Sequence, residues 1–194
     1  KGIRMVQWIS RIDLKRDFAK HKEEYMDAIV RVCQETAFSG GKFADKFDEE
    51  FAEYVGTKYA CGLNNGTSAL HCAMLALGVG PGDEVLVQSF TFCASSHPIT
   101  YLGATPVFVD SEPETWNMDP ELLEVAIKDR IAKTGKKPKA IVPVALYGMP
   151  YDCERIMAIA EKYDIPVIED AAEGFGSKYK GQMLGTFGKM GVLS

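Results

Sequence analysis

The chain has 194 residues, 46% hydrophobic and 25% charged, with a formal net charge of −5. That composition suits a folded protein with one sizeable core, and an acidic balance without clustered Lys and Arg argues against nucleic acid as a partner. No apolar run approaches the roughly 20 residues of a membrane span, and no long apolar stretch follows the first residues as in a secretory leader.

The first dozen residues carry no pattern, and Met5 is a candidate natural start. Over 13–35 the spacing turns helical, with Phe18, Tyr25, Ile29 and Val32 on one face. Ser39-Gly40-Gly41 breaks it, and a second amphipathic helix follows in which Phe43, Phe47, Phe51 and Val55 recur every fourth residue toward a core and Gly56 ends the run. From residue 58 strand and helix alternate. Strands are predicted over 59–63, 84–87, 105–109, 140–144 and 166–169. Helices are predicted over 67–77, 92–102, 120–131 and 152–163, with Asp119 capping the third and Pro120 at its start. The βαβα rhythm argues a mostly parallel sheet with helices on both faces, all strand C-termini on one edge. The five cysteines form no Cys-x-x-Cys pair, so neither a zinc site nor a disulfide framework is expected. Buried or half-buried thiols in a reducing compartment fit them.

Ligands of open α/β sheets bind beyond the carboxyl ends of the strands. Asp170, at the end of Pro166-Val167-Ile168-Glu169, is placed there, and in low-dielectric surroundings it wants a cationic partner such as a protonated pyridine nitrogen. The plainer alternative is a cap for the following segment. Asn64-Asn65-Gly66-Thr67-Ser68 sits where a strand hands over to a helix. Free N–H groups and the helix dipole would attract a phosphate there, although capping alone would explain the residues equally. Gly78-Val79-Gly80-Pro81-Gly82 follows a helix and precedes a strand, the wrong order for a dinucleotide fingerprint, and Gly40-Gly41-Lys42 lacks the spacing of a triphosphate loop. Phe90-Thr91-Phe92 offers core side chains or a ring to stack on a planar ligand. His21, His71 and His97 read as packed or surface residues. A phosphate cradle, an aromatic face and a carboxylate for a ring nitrogen form the binding set for pyridoxal 5'-phosphate.

Three stretches, in this order, carry a likeness to a known family: SGGKFADKFDEEFAEYVGTKYACGLNNGTSALH, LGVGPGDEVLVQSFTFCASSHPITYLGATPVFVD and IPVIEDAAEGFGSKYKGQMLGTFGKMGVLS. Over about residues 13–194 the chain resembles the DegT-type sugar aminotransferases. The resemblance implies the large domain of a fold-type-I pyridoxal phosphate transferase, a three-layer α/β/α structure with a mostly parallel sheet. It implies an N-terminal helical segment, 1–57, packing on a cofactor-binding domain, 58–194, that is incomplete at its C-terminal end. Gly66, Thr67 and Ser68 would hold the cofactor phosphate, with Ser194 also touching it. Phe92 would stack on the pyridine ring, and Asp170 would pair with the ring nitrogen, keep it protonated and so act in catalysis. Glu173 stands where relatives often carry Gln or His near the ring hydroxyl, and Ala145 where they often carry His or Asp. The lysine that these enzymes link to the cofactor is expected just beyond Ser194; Lys178, Lys180 and Lys189 do not match it. The small C-terminal domain is expected beyond the chain as well.

The function so implied is amination of a keto-sugar nucleotide in amino-sugar biosynthesis, with glutamate as donor, by a cytoplasmic homodimer that uses no metal, nucleic acid or membrane. The alternative is a non-catalytic cofactor-binding or regulatory protein of the same fold.

Overall fold

A computed structural model describes residues 12–194; Met5 lies outside the described residues. The chain divides into two compact units, Lys1–Phe47 and Asp48–Ser194. In the first, α1 (Leu14–Gln34) starts where Asp13 accepts a hydrogen bond from the Arg16 N–H at 3.0 Å. The predicted periodicity is present, but Phe18, Tyr25 and Ile29 are exposed and no residue of α1 is buried. No core within this unit covers the apolar stripe. α2 (Lys42–Val55) begins at residue 42, and its part from Asp48 onward belongs to the second unit. In that part Ala52 and Val55 are buried; Phe47, the last residue of the first unit, was expected in a core but is exposed. Gly56, at φ 86°, ends the helix as predicted by adopting a conformation few other residues tolerate.

The second unit is built on parallel strands. β1 (Glu84–Gln88) pairs in parallel with β2 (Thr105–Val109) on one side and β3 (Ala140–Val142) on the other. The ladder continues through parallel bridges Ile141↔Val167 and Val144↔Asp170 to β4 (Ile168–Asp170), which pairs in parallel with β7 (Met190–Val192). The spatial order is therefore β2-β1-β3-β4-β7. A small antiparallel hairpin of β5 (Lys178–Tyr179) and β6 (Gln182–Met183) interrupts the run between the last two.

Strand side chains alternate between two cores. Val85, Val87, Val142, Ile168 and Val192 meet Leu70, Ala73 and Met74 of α3 (Gly66–Ala76) and Ile99 of α4 (His97–Tyr101). Leu86, Ile141 and Val167 meet Leu123 and Ile127 of α5 (Pro120–Thr134) and Ile156 and Ala160 of α6 (Cys153–Tyr163). These are the three layers that the rhythm implied, and the near-continuous apolar strands follow from burial on both faces. Because β1 is flanked by β2 and β3, the chain changes direction across the sheet between β1 and β3. A crevice opens at such a switch point.

The structure departs from expectation in three other places. Residues 59–63 form no strand: Tyr59 is exposed, and the Gly62 N–H is taken by Asp48 Oδ1 at 2.7 Å rather than by a ladder partner. The predicted helix over 92–102 is broken into a 3-10 turn, Cys93–Ser95, and the short α4. Pro98 lies in the first turn of α4 and has no N–H to donate back to the Ala94 carbonyl, so an α-helical run arriving from Cys93 is interrupted there. Four of the five cysteines are exposed; only Cys153 is buried, its thiol pushed up to about 12, chiefly by burial and then by the Glu169 charge.

Helix α5 matches its predicted start, Asp119 accepting from the N–H groups of Glu121 and Leu122 at 2.7 and 3.2 Å. Replacing Asp119 by Ala should cost about 1 kcal/mol, and replacing the fully buried Ile127 by Ala about 2–5 kcal/mol. Urea unfolding of the whole protein measures both; equal losses would mean that α5 is not seated on the sheet as described.

Candidate functional site

A cavity of about 530 Å³ lies at the switch point. Every segment that lines it follows the carboxyl end of a strand or begins a helix. Asn65, Gly66 and Thr67 open α3, and Phe90–Phe92 with Ala94 follow β1; Val144, Leu146 and Tyr147 follow β3, Asp170, Ala172 and Glu173 end β4, and Ser194 follows β7. Six of the seven residues singled out in the sequence thus share one cavity; Ser68 does not line it.

One pole is the N-terminus of α3. Asn65 caps it, its side-chain oxygen accepting the Ser68 N–H at 2.8 Å. That bond explains why Ser68 belongs to the cap, while Gly66 and Thr67 face the cavity with the positive end of the helix dipole. Gly66 and Ser194 are pressed together. A Cβ on Gly66 would lie 2.9 Å from the Ser194 Cβ and 3.1 Å from its Oγ, so only glycine lets the serine hydroxyl join the helix end.

The other pole is Asp170, 5% exposed. Its Oδ2 accepts the Ser95 hydroxyl at 2.5 Å and its Oδ1 the Ala172 N–H at 3.2 Å. Burial pushes its carboxyl up; the two hydrogen bonds oppose this, and the Glu173 charge adds to it. With the Ser95 proton given to Asp170, the Thr91 hydroxyl at 2.8 Å must donate to Ser95. A fully buried serine thus ties the β1 loop to the strand-end carboxylate. Sequence reasoning missed Ser95: it lies in a stretch read as helix, and its partner is 75 residues away.

Two more residues missed in the sequence brace the mouth. Gln88 and Asn117 are fully buried. Gln88 donates to the Phe90 carbonyl at 2.9 Å and accepts from the N–H groups of Met118 at 2.8 Å and Val144 at 3.4 Å. Asn117 accepts the Leu146 N–H and donates to the Met149 carbonyl, each at 3.0 Å. A buried amide able to join separate backbone segments is a general signal, but the segments it joins cannot be read along the chain. Glu173 accepts the Tyr147 N–H at 2.5 Å and so holds Tyr147 in the left-handed region, φ 52°.

Phe92 lines the cavity yet is 77% exposed, so a ring face is open to a planar ligand. Phe90 instead packs against Trp116, ring centroids 5.6 Å apart. None of the three histidines lines the cavity, and among the described residues no cluster of His, Cys, Asp and Glu could hold a metal ion. A helix-end anion site, an open ring and a buried carboxylate with no cationic partner among the described residues suit a planar ligand with a phosphate at one end and a protonated nitrogen at the other. Pyridoxal phosphate has that form.

Comparison with known proteins agrees. A family model described as the DegT/DnrJ/EryC1/StrS aminotransferase family matches residues 19–194. The chain is 46% identical over 171 residues to the UDP-2-acetamido-2-deoxy-3-oxo-D-glucuronate aminotransferase of Pseudomonas aeruginosa, covering 88% of this chain and 46% of that protein. It matches the crystal structure of a DegT DnrJ EryC1 StrS aminotransferase from Brucella abortus with a TM-score of 0.92 and 38% identity, over 95% of this chain and 49% of that one. It also matches the crystal structure of NtdA from Bacillus subtilis with bound cofactor PMP, with a TM-score of 0.80 and 30% identity, over 89% of this chain and 38% of that one. The chain spans less than half the length of each of these proteins.

The raised Asp170 carboxyl has a consequence for stability. A carboxyl raised in the folded state favours folding while protonated, and that contribution is lost as pH rises through the folded value. Asp170→Asn cannot ionise and escapes the loss. Urea unfolding of the ligand-free whole protein from acid to neutral pH should show the variant gaining on the wild type as pH rises. A stability difference independent of pH would show that the Asp170 charge is not penalised by burial.

Proposed function

This chain belongs to the DegT/DnrJ/EryC1/StrS aminotransferase family, and on that premise we propose that the whole protein is a pyridoxal phosphate-dependent aminotransferase acting on a nucleotide-linked keto-sugar. The observation that carries the reading is the pairing of the two poles: a glycine-serine contact at a helix N-terminus and a buried strand-end carboxylate, facing one cavity.

The cofactor, when bound, supplies an electron sink for the bond changes at the carbon next to the transferred nitrogen. The chain's own residues bind and tune it. Gly66 and Thr67 offer the α3 N-terminus to the phosphate and Ser194 adds its hydroxyl. Ser68 acts behind them, through the Asn65 cap that fixes the first turn. Phe92 would stack on the ring and exclude water from one face. Asp170 holds the proton on the ring nitrogen, which its buried carboxylate does more strongly than an exposed one would. Ser95, backed by Thr91, keeps the Asp170 carboxylate oriented. Glu173 lines the cavity beside Tyr147 and fixes that backbone, where it would lie near the ring hydroxyl of the cofactor.

The name of the Pseudomonas aeruginosa relative, an aminotransferase of a UDP-linked oxo-sugar, supports the substrate class. The same reading takes glutamate as amino donor, a homodimer as the working assembly, the cytoplasm as its place and amino-sugar biosynthesis as its purpose. It also takes 1–57 as a helical segment packed on the cofactor-binding domain, 58–194. No described helix is long and apolar enough to cross a membrane.

Titration of the whole protein with pyridoxal phosphate tests the site. Thr67→Ala should weaken binding by about 1.5–3 kcal/mol, the worth of a hydrogen bond to a charged group. Asp170→Asn should fold and still take up the cofactor, but the glutamate half-reaction, followed by cofactor absorbance, should slow by about a hundredfold or more. An Asn variant reacting at nearly the wild-type rate would reduce Asp170 to a cap. A wild type that binds cofactor but never reacts with glutamate would favour the non-catalytic reading.

A further inference from the structure

Glu169 immediately precedes Asp170, and alternation along β4 sends its side chain to the opposite face of the sheet. It is fully buried. Among the described residues no lysine or arginine accompanies it; backbone N–H groups do. Its Oε2 accepts from Gly185 at 3.0 Å, and its Oε1 from Phe187 at 2.5 Å and Gly188 at 2.6 Å. Converging backbone N–H groups of a tight glycine turn form a concave anion site. Here the anion is the protein's own carboxylate.

The turn has little freedom apart from that anion. Gly185 lies at φ 85°, and a Cβ there would meet Leu193 Cδ1 at 2.7 Å. A Cβ on Gly188 would meet the Val167 carbonyl oxygen at 2.7 Å, and one on Gly191 would collide with the backbone of Gly185. From this turn the chain runs directly into β7. There Gly191 lies opposite Glu169 and Val192 opposite Asp170, and Ser194, two residues on, presses against Gly66.

We propose that Glu169 is a positioning residue: by filling the glycine turn before β7 it sets the register of that strand and so places the Ser194 hydroxyl beside Gly66 at the phosphate end of the cavity. It touches no ligand and acts through the turn. One strand residue thereby ties the carboxylate pole to the phosphate pole. The inference rests on the cofactor reading above. Glutamine has nearly the shape of glutamate but turns an NH2 toward backbone donors that need an acceptor, so Glu169→Gln releases the turn with little change in bulk.

The test measures dissociation constants of the whole protein for pyridoxal phosphate and for pyridoxal, in the wild type, Glu169→Gln, Ser194→Ala and the double variant. The ratio of the two constants isolates the phosphate end from general loosening of the fold. Glu169→Gln should lower the preference for the phosphorylated form by about tenfold, and in the Ser194→Ala background it should lower it no further, as expected for coupled residues. Should Glu169→Gln fail to fold, Glu169→Asp keeps the charge, shortens the reach by one methylene and should shift the ratio the same way. An unchanged ratio in the variant that folds, or losses that multiply in the double variant, would overturn the proposal. A wild type with no preference for the phosphorylated form would instead bring down the cofactor reading and this inference together.

Discussion

Two adjacent carboxylates on β4 are buried on opposite faces of one sheet, and much of the second unit is arranged around that fact. Removing a carboxylate from water is costly unless donors replace the lost hydration. Glu169 has three backbone N–H donors. Asp170 has one hydroxyl and one N–H, and burial outweighs them, pushing its carboxyl up. The less well satisfied of the two is the one that opens on the cavity. A protonated ring nitrogen would supply what the protein withholds.

The sheet order puts that carboxylate to use. Because β1 has β2 on one side and β3 on the other, the loops leaving β1 and β3 part at their carboxyl ends and leave room between them. Buried amides hold the parted loops: Gln88 spans three backbone segments and Asn117 grips the turn after β3. The opposite wall is closed by β7, whose end meets the first glycine of α3. The cavity is thus framed by regular elements and their immediate ends, which limits the reorganisation a bound ligand would require.

Local chemistry made much of this legible in the sequence. Asp119-Pro120 marks a helix start by side chain and ring alone, and the structure has it there. The apolar run Val85-Leu86-Val87 declares a strand buried on both faces. Gly66, Thr67, Phe92, Asp170 and Glu173 were legible because each lies near a predicted strand end or helix start, whereas Ser194 came from the family resemblance alone. What was not legible depends on distant partners. Ser95 earns its place only from Asp170, and Ser68, whose N–H Asn65 accepts, does not line the cavity. The 59–63 stretch has strand composition but no ladder partner, and the helix expected over 92–102 gave way to a proline. The apolar stripe of α1 has the right period and no core of its own, since periodicity reports a face and not what covers it.

The central claim is that Asp170 keeps a ring nitrogen protonated inside the strand-end cavity. The direct measurement is the chemical shift of the ring nitrogen in whole protein loaded with nitrogen-15-labelled pyridoxal phosphate, recorded near neutral pH for the wild type and for Asp170→Asn. The account predicts a pyridinium shift in the wild type and a neutral pyridine shift in the variant. A ring nitrogen that is unprotonated in the wild type, or protonated alike in both, would contradict it.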